Sequence, residues 1–233
     1  MNLAVLIFAK YPEPGRVNTR LVPPLTHEQA AGLHRAALAA TCELARTLSS
    51  ARLVLVISPD DTRHRLVAEL PTSVDAAWGQ GGGSLGQRLA RATLRALEGG
   101  AGGVVLLGAD SPTIPEAYLR EAIDAMAIHD VVMGPSHDGG YYLVGLTGGH
   151  TALFDDIDWG TDRVAAQTRA RAVDAGLRLH ELAPWHDIDR AEDLATAAAS
   201  LANVDQGAPQ RRALRQELLA LLGHGTYAEH KHD

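Results

Sequence analysis

The sequence predicts an α/β fold: a single-domain, three-layer α/β/α sandwich around a mainly parallel sheet, spanning residues 1–222 and followed by a flexible tail at 223–233. Two observations carry this. Short apolar runs without polar alternation, at residues 3–9 and 104–107 above all, read as strands buried on both faces. Amphipathic stretches opened by helix-start signals alternate with them, which is the order of βαβ units. The length of 233 residues is enough to bury one sizeable core without covalent staples.

The elements follow in order. After the first strand comes Lys10-Tyr11-Pro12-Glu13-Pro14-Gly15-Arg16-Val17-Asn18-Thr19-Arg20-Leu21, a bent segment with three cations. Proline and glycine fix a backbone whose amides can turn inward, and Lys10, Arg16 and Arg20 add charge suited to a diphosphate. Thr26 and Gln29 form a capping box. Leu33, Ala37, Ala40, Leu44 and Leu48 then lie on one helical face. Residues 52–57 are a second strand, followed by a charged helix that ends near Leu70-Pro71. Residues 74–78 are a short third strand. The glycine-rich stretch Gly79-Gln80-Gly81-Gly82-Gly83-Ser84 leads into a helix capped by Ser84 and Gln87. Such a loop at a helix N-terminus can bring amides close to a ligand, and a plain flexible turn explains it as well.

The strand at 104–107 runs into Gly108-Ala109-Asp110-Ser111-Pro112. Asp110 therefore sits at a strand's carboxyl end, where ligands bind in open α/β sheets. A carboxylate there can hold a hard metal ion, which in turn holds phosphate oxygens; alone, it is equally a turn cap. Pro115 opens the next helix. Residues 130–135 are a strand, joined by Ser136-His137-Asp138-Gly139-Gly140 to another at 141–146, with the look of a hairpin. A helix ends at Ala175, a strand occupies 177–182, and Asp187-Ile188-Asp189 follows. Two carboxylates two apart on an extended segment share a side and can approach Asp110; Asp189 with Glu192 is alternatively a helix cap. The rest is helix from 191 to 222, and the tail histidines His224, His230 and His232 read as a frayed terminus rather than a metal site.

Composition narrows the function. The net charge is −7 and no Lys/Arg-rich run is present, which argues against nucleic acid. The single cysteine, Cys42, excludes an internal disulfide and a multi-cysteine zinc site, and suits a buried position. No run approaches a membrane span, and the first strand lacks the basic flank of a signal peptide, so a cytoplasmic protein is expected. No GxSxG elbow accompanies a serine triad.

The motifs Phe8-Ala9-Lys10-Tyr11-Pro12-Glu13-Pro14-Gly15-Arg16-Val17 with Thr19-Arg20-Leu21, Gly108-Ala109-Asp110-Ser111-Pro112, and Gly134-Pro135-Ser136 with Asp138-Gly139-Gly140-Tyr141-Tyr142-Leu143 resemble a bacterial family of unknown function. That family is labelled an arsenosugar-biosynthesis-type glycosyltransferase and falls in the nucleotide-diphospho-sugar transferase superfamily, with the GT-A fold. The resemblance covers residues 3–200. It implies that Lys10, Arg16 and Arg20 line nucleotide phosphates, with Gly15, Gln80, Gly83 and Arg88 as further candidates. It implies that Asp110 and Asp189 bind a divalent metal, Mg²⁺ or Mn²⁺. Asp110 and Asp138 become the candidate catalytic carboxylates, and Gly139, Gly140 and Tyr141 the candidate substrate-binding residues. One departure stands out: the family's lysine before Thr-Arg-Leu is Asn18 here.

The expected activity is transfer of a glycosyl group from a nucleotide-diphospho-sugar to a small-molecule acceptor. The alternative is nucleotidyl transfer from a nucleoside triphosphate, because the first loop also resembles that of phospholactate guanylyltransferases. A third reading is a non-catalytic nucleotide-binding protein. The implied partners are a nucleotide or nucleotide sugar and the acceptor, with no nucleic acid and no membrane span; a homodimer is compatible.

Overall fold

The alternation of apolar runs and amphipathic helices resolves, in a computed structural model describing residues 2–204 and 206–228, into a seven-stranded sheet. The order along the chain is β1 (Leu3–Lys10), α1 (His27–Arg46), β2 (Arg52–Ser58), α2 (Arg63–Glu69), β3 (Ala76–Gly79), α3 (Leu85–Glu98) and β4 (Gly103–Gly108). There follow α4 (Glu116–Ala125), β5 (Val131–Pro135), β6 (Tyr141–Leu146), α5 (Val164–Asp174), β7 (Leu179–Glu181), α6 (Asp193–Ser200) and α7 (Pro209–Ala228). The strands lie in the order β3-β2-β1-β4-β6-β5-β7. All neighbours are parallel except β6, which runs antiparallel to both β4 and β5.

The apolar runs lack alternation because both faces of the sheet are covered. Val5, Ile7, Leu53, Leu55, Val105 and Leu107 face a core closed by Leu38 and Cys42 of α1, Leu66 of α2 and Leu119 of α4. Their sequence neighbours Ala4, Leu6, Val54, Val56, Val104 and Leu106 face the other side, under Leu89, Ala92 and Ala96 of α3 and Ala172 of α5. Full burial of each such aliphatic side chain contributes about 1.5–3 kcal/mol. A third cluster joins α1 to α6 and α7 through Leu33, Leu194, Leu214 and Leu218, and it includes Leu21 and Ile188. The fold is thus one three-layer α/β/α sandwich.

Both expected capping boxes are present, Thr26 with Gln29 and Ser84 with Gln87. The third strand is shorter than expected and shifted, Ala76–Gly79 instead of 74–78. Pro115 lies just before α4 rather than at its first turn. The single helix expected over 191–222 is two: α6 stops at Ser200, and α7 begins at Pro209. Proline lacks the amide a helix interior requires, and it is favoured at a first helical position. The α7 backbone continues past Leu222 to Ala228. The rest of the tail, with His230 and His232, lies outside the described residues, as does the side chain of His224. Among the described residues no helix is long and apolar enough to cross a membrane.

Candidate active site

The sheet order reverses at β1, which has β2 on one side and β4 on the other. In α/β sheets this switch point opens a crevice at the carboxyl ends of the strands. A cavity of about 470 Å³ lies there, bordered by Lys10, Asn18, His34, Gln80, Arg88 and Asp110 on its polar sides and by Leu85, Leu106, Tyr141 and Trp159 on its apolar ones. That volume is in the range of small-ligand sites.

Asp110 follows β4 directly. Its carboxylate folds back over Gly108, where any Cβ would collide with it; this close approach explains the glycine before the aspartate. The chain from β7 returns to the same place. Leu182 and Trp185 donate backbone hydrogen bonds to the carbonyls of Met133 and Pro135, and Ile188 donates to that of Asp110 at 2.9 Å. Ile188 points into the third core cluster, 3% exposed, so Asp187 and Asp189 on either side face the rim. The segment is fixed further by the Trp185 indole, which donates to Thr113 Oγ1 at 3.0 Å, and by His186, stacked on that indole with 4.7 Å between ring centroids.

Asp187 accepts a short hydrogen bond from Ser111. Burial and then the adjacent Asp110 charge push its carboxyl up to about 7. Crowding by protein raises the pKa of Asp110 as well, and the charges of Asp138 and Asp189 raise it further, against Lys10. Because Asp110 keeps an exposed edge, water tempers the first of these effects more than the second. Asp189 pairs with Arg20 across 2.8 Å, so its charge is already countered. That leaves Asp187 and Asp138 as the carboxylates acting on Asp110 or acted on by it that have no ion-pair partner among the described residues. The helix-cap reading of Asp189 is reversed in the structure: Asp193 accepts from the Asp189 and Arg190 amides at 3.0 and 2.7 Å.

Asp138 is held in the β5–β6 turn by the Ser136 hydroxyl at 2.5 Å and the Gly140 amide at 2.9 Å. Gly139 has φ +89°, and a Cβ there would strike the backbone of Asp162. Its carbonyl accepts from Ala165 at 2.9 Å, which docks the turn on the start of α5. Tyr141 borders the cavity with its ring edge-on to Trp159, 6.1 Å between centroids.

The cations divide. Lys10 and Arg88 border the cavity. Arg16 is exposed and paired with Glu13 at 3.1 Å on the loop that carries Gly15 at its tip, and neither borders the cavity. Gln80 is 6% exposed, and its amide donates to the carbonyls of Ala9 and Val56, each at 3.1 Å. That leaves its oxygen for Arg88, whose Nε also donates to the Gly83 carbonyl at 3.0 Å. Gln80 and Gly83 thus aim Arg88. Arg91, one helical turn further on, donates to the carbonyls of Gln80 and Gly82 and pins the glycine loop. Sequence reasoning passed over Arg91 and His34; the signals were a second arginine at i+3 and a lone polar residue on the apolar face of α1.

Among the described residues no three His, Cys, Asp or Glu side chains converge as a ready metal cage. This suits Mg²⁺, which takes one or two carboxylates and completes its shell with water and ligand phosphates. The adjacent carboxylates of Asp110 and the half-buried Asp187 are oxygen donors of the kind such an ion takes.

A mostly parallel sheet with one antiparallel insertion and carboxylates at its switch point defines the nucleotide-diphospho-sugar transferase type of α/β fold. Within it, the chain belongs to the family described as "Uncharacterized protein conserved in bacteria (DUF2064)", whose model matches residues 41–161. It is similar to a Desulfovibrio desulfuricans G20 protein described as a "putative nucleotide-diphospho-sugar transferase", with 32% identity and a TM-score of 0.84 over 96% of this chain and 98% of that one. It shares its fold with 4-diphosphocytidyl-2C-methyl-D-erythritol synthase from Anaerococcus prevotii DSM 20548, at 13% identity and a TM-score of 0.58, covering 86% and 98% of the two chains. The fold likewise matches a CMP:2-keto-3-deoxy-manno-octonic acid synthetase solved with CTP, at 11% identity and a TM-score of 0.55, covering 87% and 99%. No curated protein matches the chain.

Proposed function

We propose that the protein is a metal-dependent transferase acting on a nucleotide-activated donor, with transfer from a nucleotide-diphospho-sugar to a small acceptor as the first reading. One observation carries it. The cations Lys10 and Arg88 share the border of the switch-point cavity with the carboxylate of Asp110, and Asp187 lies beside Asp110. That combination suits a diphosphate bound through a divalent ion.

In this reading Asp110 and Asp187 hold Mg²⁺ or Mn²⁺, with Asp189 next to them and in charge of Arg20. The bound ion would neutralise phosphate oxygens and the charge that develops on the leaving nucleotide. Lys10 and Arg88 bind the donor phosphates from the cavity border, Arg88 being aimed by Gln80 and Gly83. Arg20, oriented by Asp189, adds a cation at the rim. Asp138 is fixed by Ser136 and Gly140, and orients the acceptor nucleophile and takes its proton as bonding begins. Gly139 and Gly140 hold that turn, and Tyr141 forms the apolar wall.

The neutral Asn18 on the cavity border favours a two-phosphate donor over a triphosphate. The nucleotidyl-transfer alternative is supported by the synthases that share the fold. Product analysis separates the two. Sugar transfer releases a nucleoside diphosphate and nucleotidyl transfer releases pyrophosphate, so pyrophosphate as the sole product overturns the first reading. Absence of either product and of any nucleotide binding favours a non-catalytic protein.

A further inference from the structure

We infer that Asn18 and His34, two uncharged polar residues on the border of the switch-point cavity, read an uncharged edge of the ligand, a nucleobase or a sugar, rather than its phosphates. This rests on the proposed use of the cavity by a nucleotide-activated donor, and it says which part of that donor lies where.

His34 sits on α1, 8% exposed, and borders the cavity. Its Nε2 lies 3.1 Å from the Lys10 carbonyl. A carbonyl only accepts, so Nε2 carries the proton and donates. Burial above all lowers the imidazole's pKa, against its hydrogen bond to the Lys10 carbonyl and with the charges of Lys10 and Arg35, which favours the uncharged ring. In that tautomer Nδ1 has a lone pair and no proton. Among the described contacts the His34 ring bonds through Nε2, which leaves Nδ1 to accept from a donor. A phosphate oxygen has no proton to give it and would face that lone pair with its own charge. An N–H or O–H of the ligand satisfies it.

Asn18 borders the same cavity. Its backbone is left-handed, φ 48° and ψ 37°, a conformation asparagine tolerates better than most residues. Its side chain does not cap the turn that follows. It offers an NH2 donor group and a carbonyl acceptor, with no net charge. An acceptor at His34 and a donor–acceptor amide at Asn18 match a ligand edge that alternates N–H or O–H with an oxygen or ring nitrogen. Both nucleobases and sugar hydroxyl pairs carry such an edge. The cationic Lys10 and Arg88 are left to the phosphates.

The test uses the full chain with Mg²⁺ and three kinds of probe, measured by calorimetric titration. Nucleoside monophosphates carry a base without a hexose, glucose 1-phosphate a hexose without a base, and inorganic diphosphate neither. His34→Gln keeps a donor towards the Lys10 carbonyl and moves the acceptor away from the Nδ1 position; Asn18→Gly keeps the left-handed backbone and removes the amide. Each variant is expected to weaken one class of organic probe roughly three- to tenfold, the size of one neutral hydrogen bond, and to leave diphosphate binding within about twofold. Loss confined to the monophosphates assigns the edge to the nucleoside, and loss confined to glucose 1-phosphate assigns it to the transferred sugar. Equal loss of diphosphate affinity, or no loss for any probe that the wild type binds, overturns the inference while leaving the transferase reading intact. A wild type that binds none of the nucleotides overturns both. Should His34→Gln unfold the protein, Asn18→Gly on the loop decides alone.

Discussion

Replacing Asp187 with asparagine should make the metal-free protein more stable at alkaline pH and less able to use a metal. Asp187 is raised to about 7 by burial and by Asp110. An unfolded aspartate titrates near 3.9, so the difference is about 3 units, a ceiling of about 4 kcal/mol of strain when both forms are ionised. Water at the rim and the titration shared with Asp110 reduce this to about 1–2 kcal/mol. The sign follows from the raised value. Below about pH 4 the group is protonated in both states and the strain is absent. Between about pH 4 and 7 the unfolded chain ionises while the folded state keeps its proton, so stability falls, and above about 7 the loss levels off. Asparagine presents the same oxygen to the Ser111 hydroxyl without the charge. The assay is thermal unfolding in chelator at pH 5.5 and 8. Wild type should lose stability between the two, whereas Asp187→Asn should be nearly flat and should melt roughly 2–8 °C higher at pH 8. Adding Mn²⁺ at pH 8 should stabilise wild type and not the variant. A variant less stable than wild type at pH 8, or a wild type indifferent to pH, refutes the reasoning.

Other expectations follow from the same geometry. Gly139→Ala forces a Cβ against the Asp162 backbone at a positive φ, and should cost about 1–3 kcal/mol in a urea titration; a change under about 0.5 kcal/mol would show that the turn adjusts freely. Arg20→Gln breaks an exposed pair with Asp189, so stability should fall by less than about 1 kcal/mol while nucleotide affinity falls more clearly; the reverse pattern would make the pair structural. The Cys42 thiol is buried and pushed up to about 12 by burial, so Ellman's reagent should react only in denaturant, and prompt labelling of the native protein would contradict the core assignment.

Much of the fold was legible because local signals and burial agree. The capping boxes at Thr26 and Ser84, the two-face apolar strands and the carboxylate after Val104 to Leu107 each specify one arrangement. The break between α6 and α7 was written in Gly207 and Pro209 but was outweighed by the surrounding alanines and leucines. The rim carboxylates were legible as a set, since Asp187 and Asp189 flank an apolar residue that must face inward. Which of them stands uncompensated was not legible. It depends on Arg20 reaching across 169 positions of sequence to Asp189, and on Ser111 binding Asp187, contacts that only the folded chain creates. The separation of Lys10 and Arg88 from Arg16 is likewise tertiary: all three lie in or beside the cationic and glycine-rich stretches, and only cavity geometry distinguishes them.

The central claim is that Asp110 and its neighbours handle a nucleotide-activated donor through a divalent ion. Its most direct test is donor binding and turnover across nucleotide sugars and nucleoside triphosphates, with and without Mg²⁺ or Mn²⁺, in wild type and Asp110→Asn. The account predicts at least one donor whose binding requires the metal, and an Asp110→Asn protein that folds normally with turnover reduced about 100-fold or more. An equally active Asp110→Asn, or donor binding indifferent to metal, would contradict it.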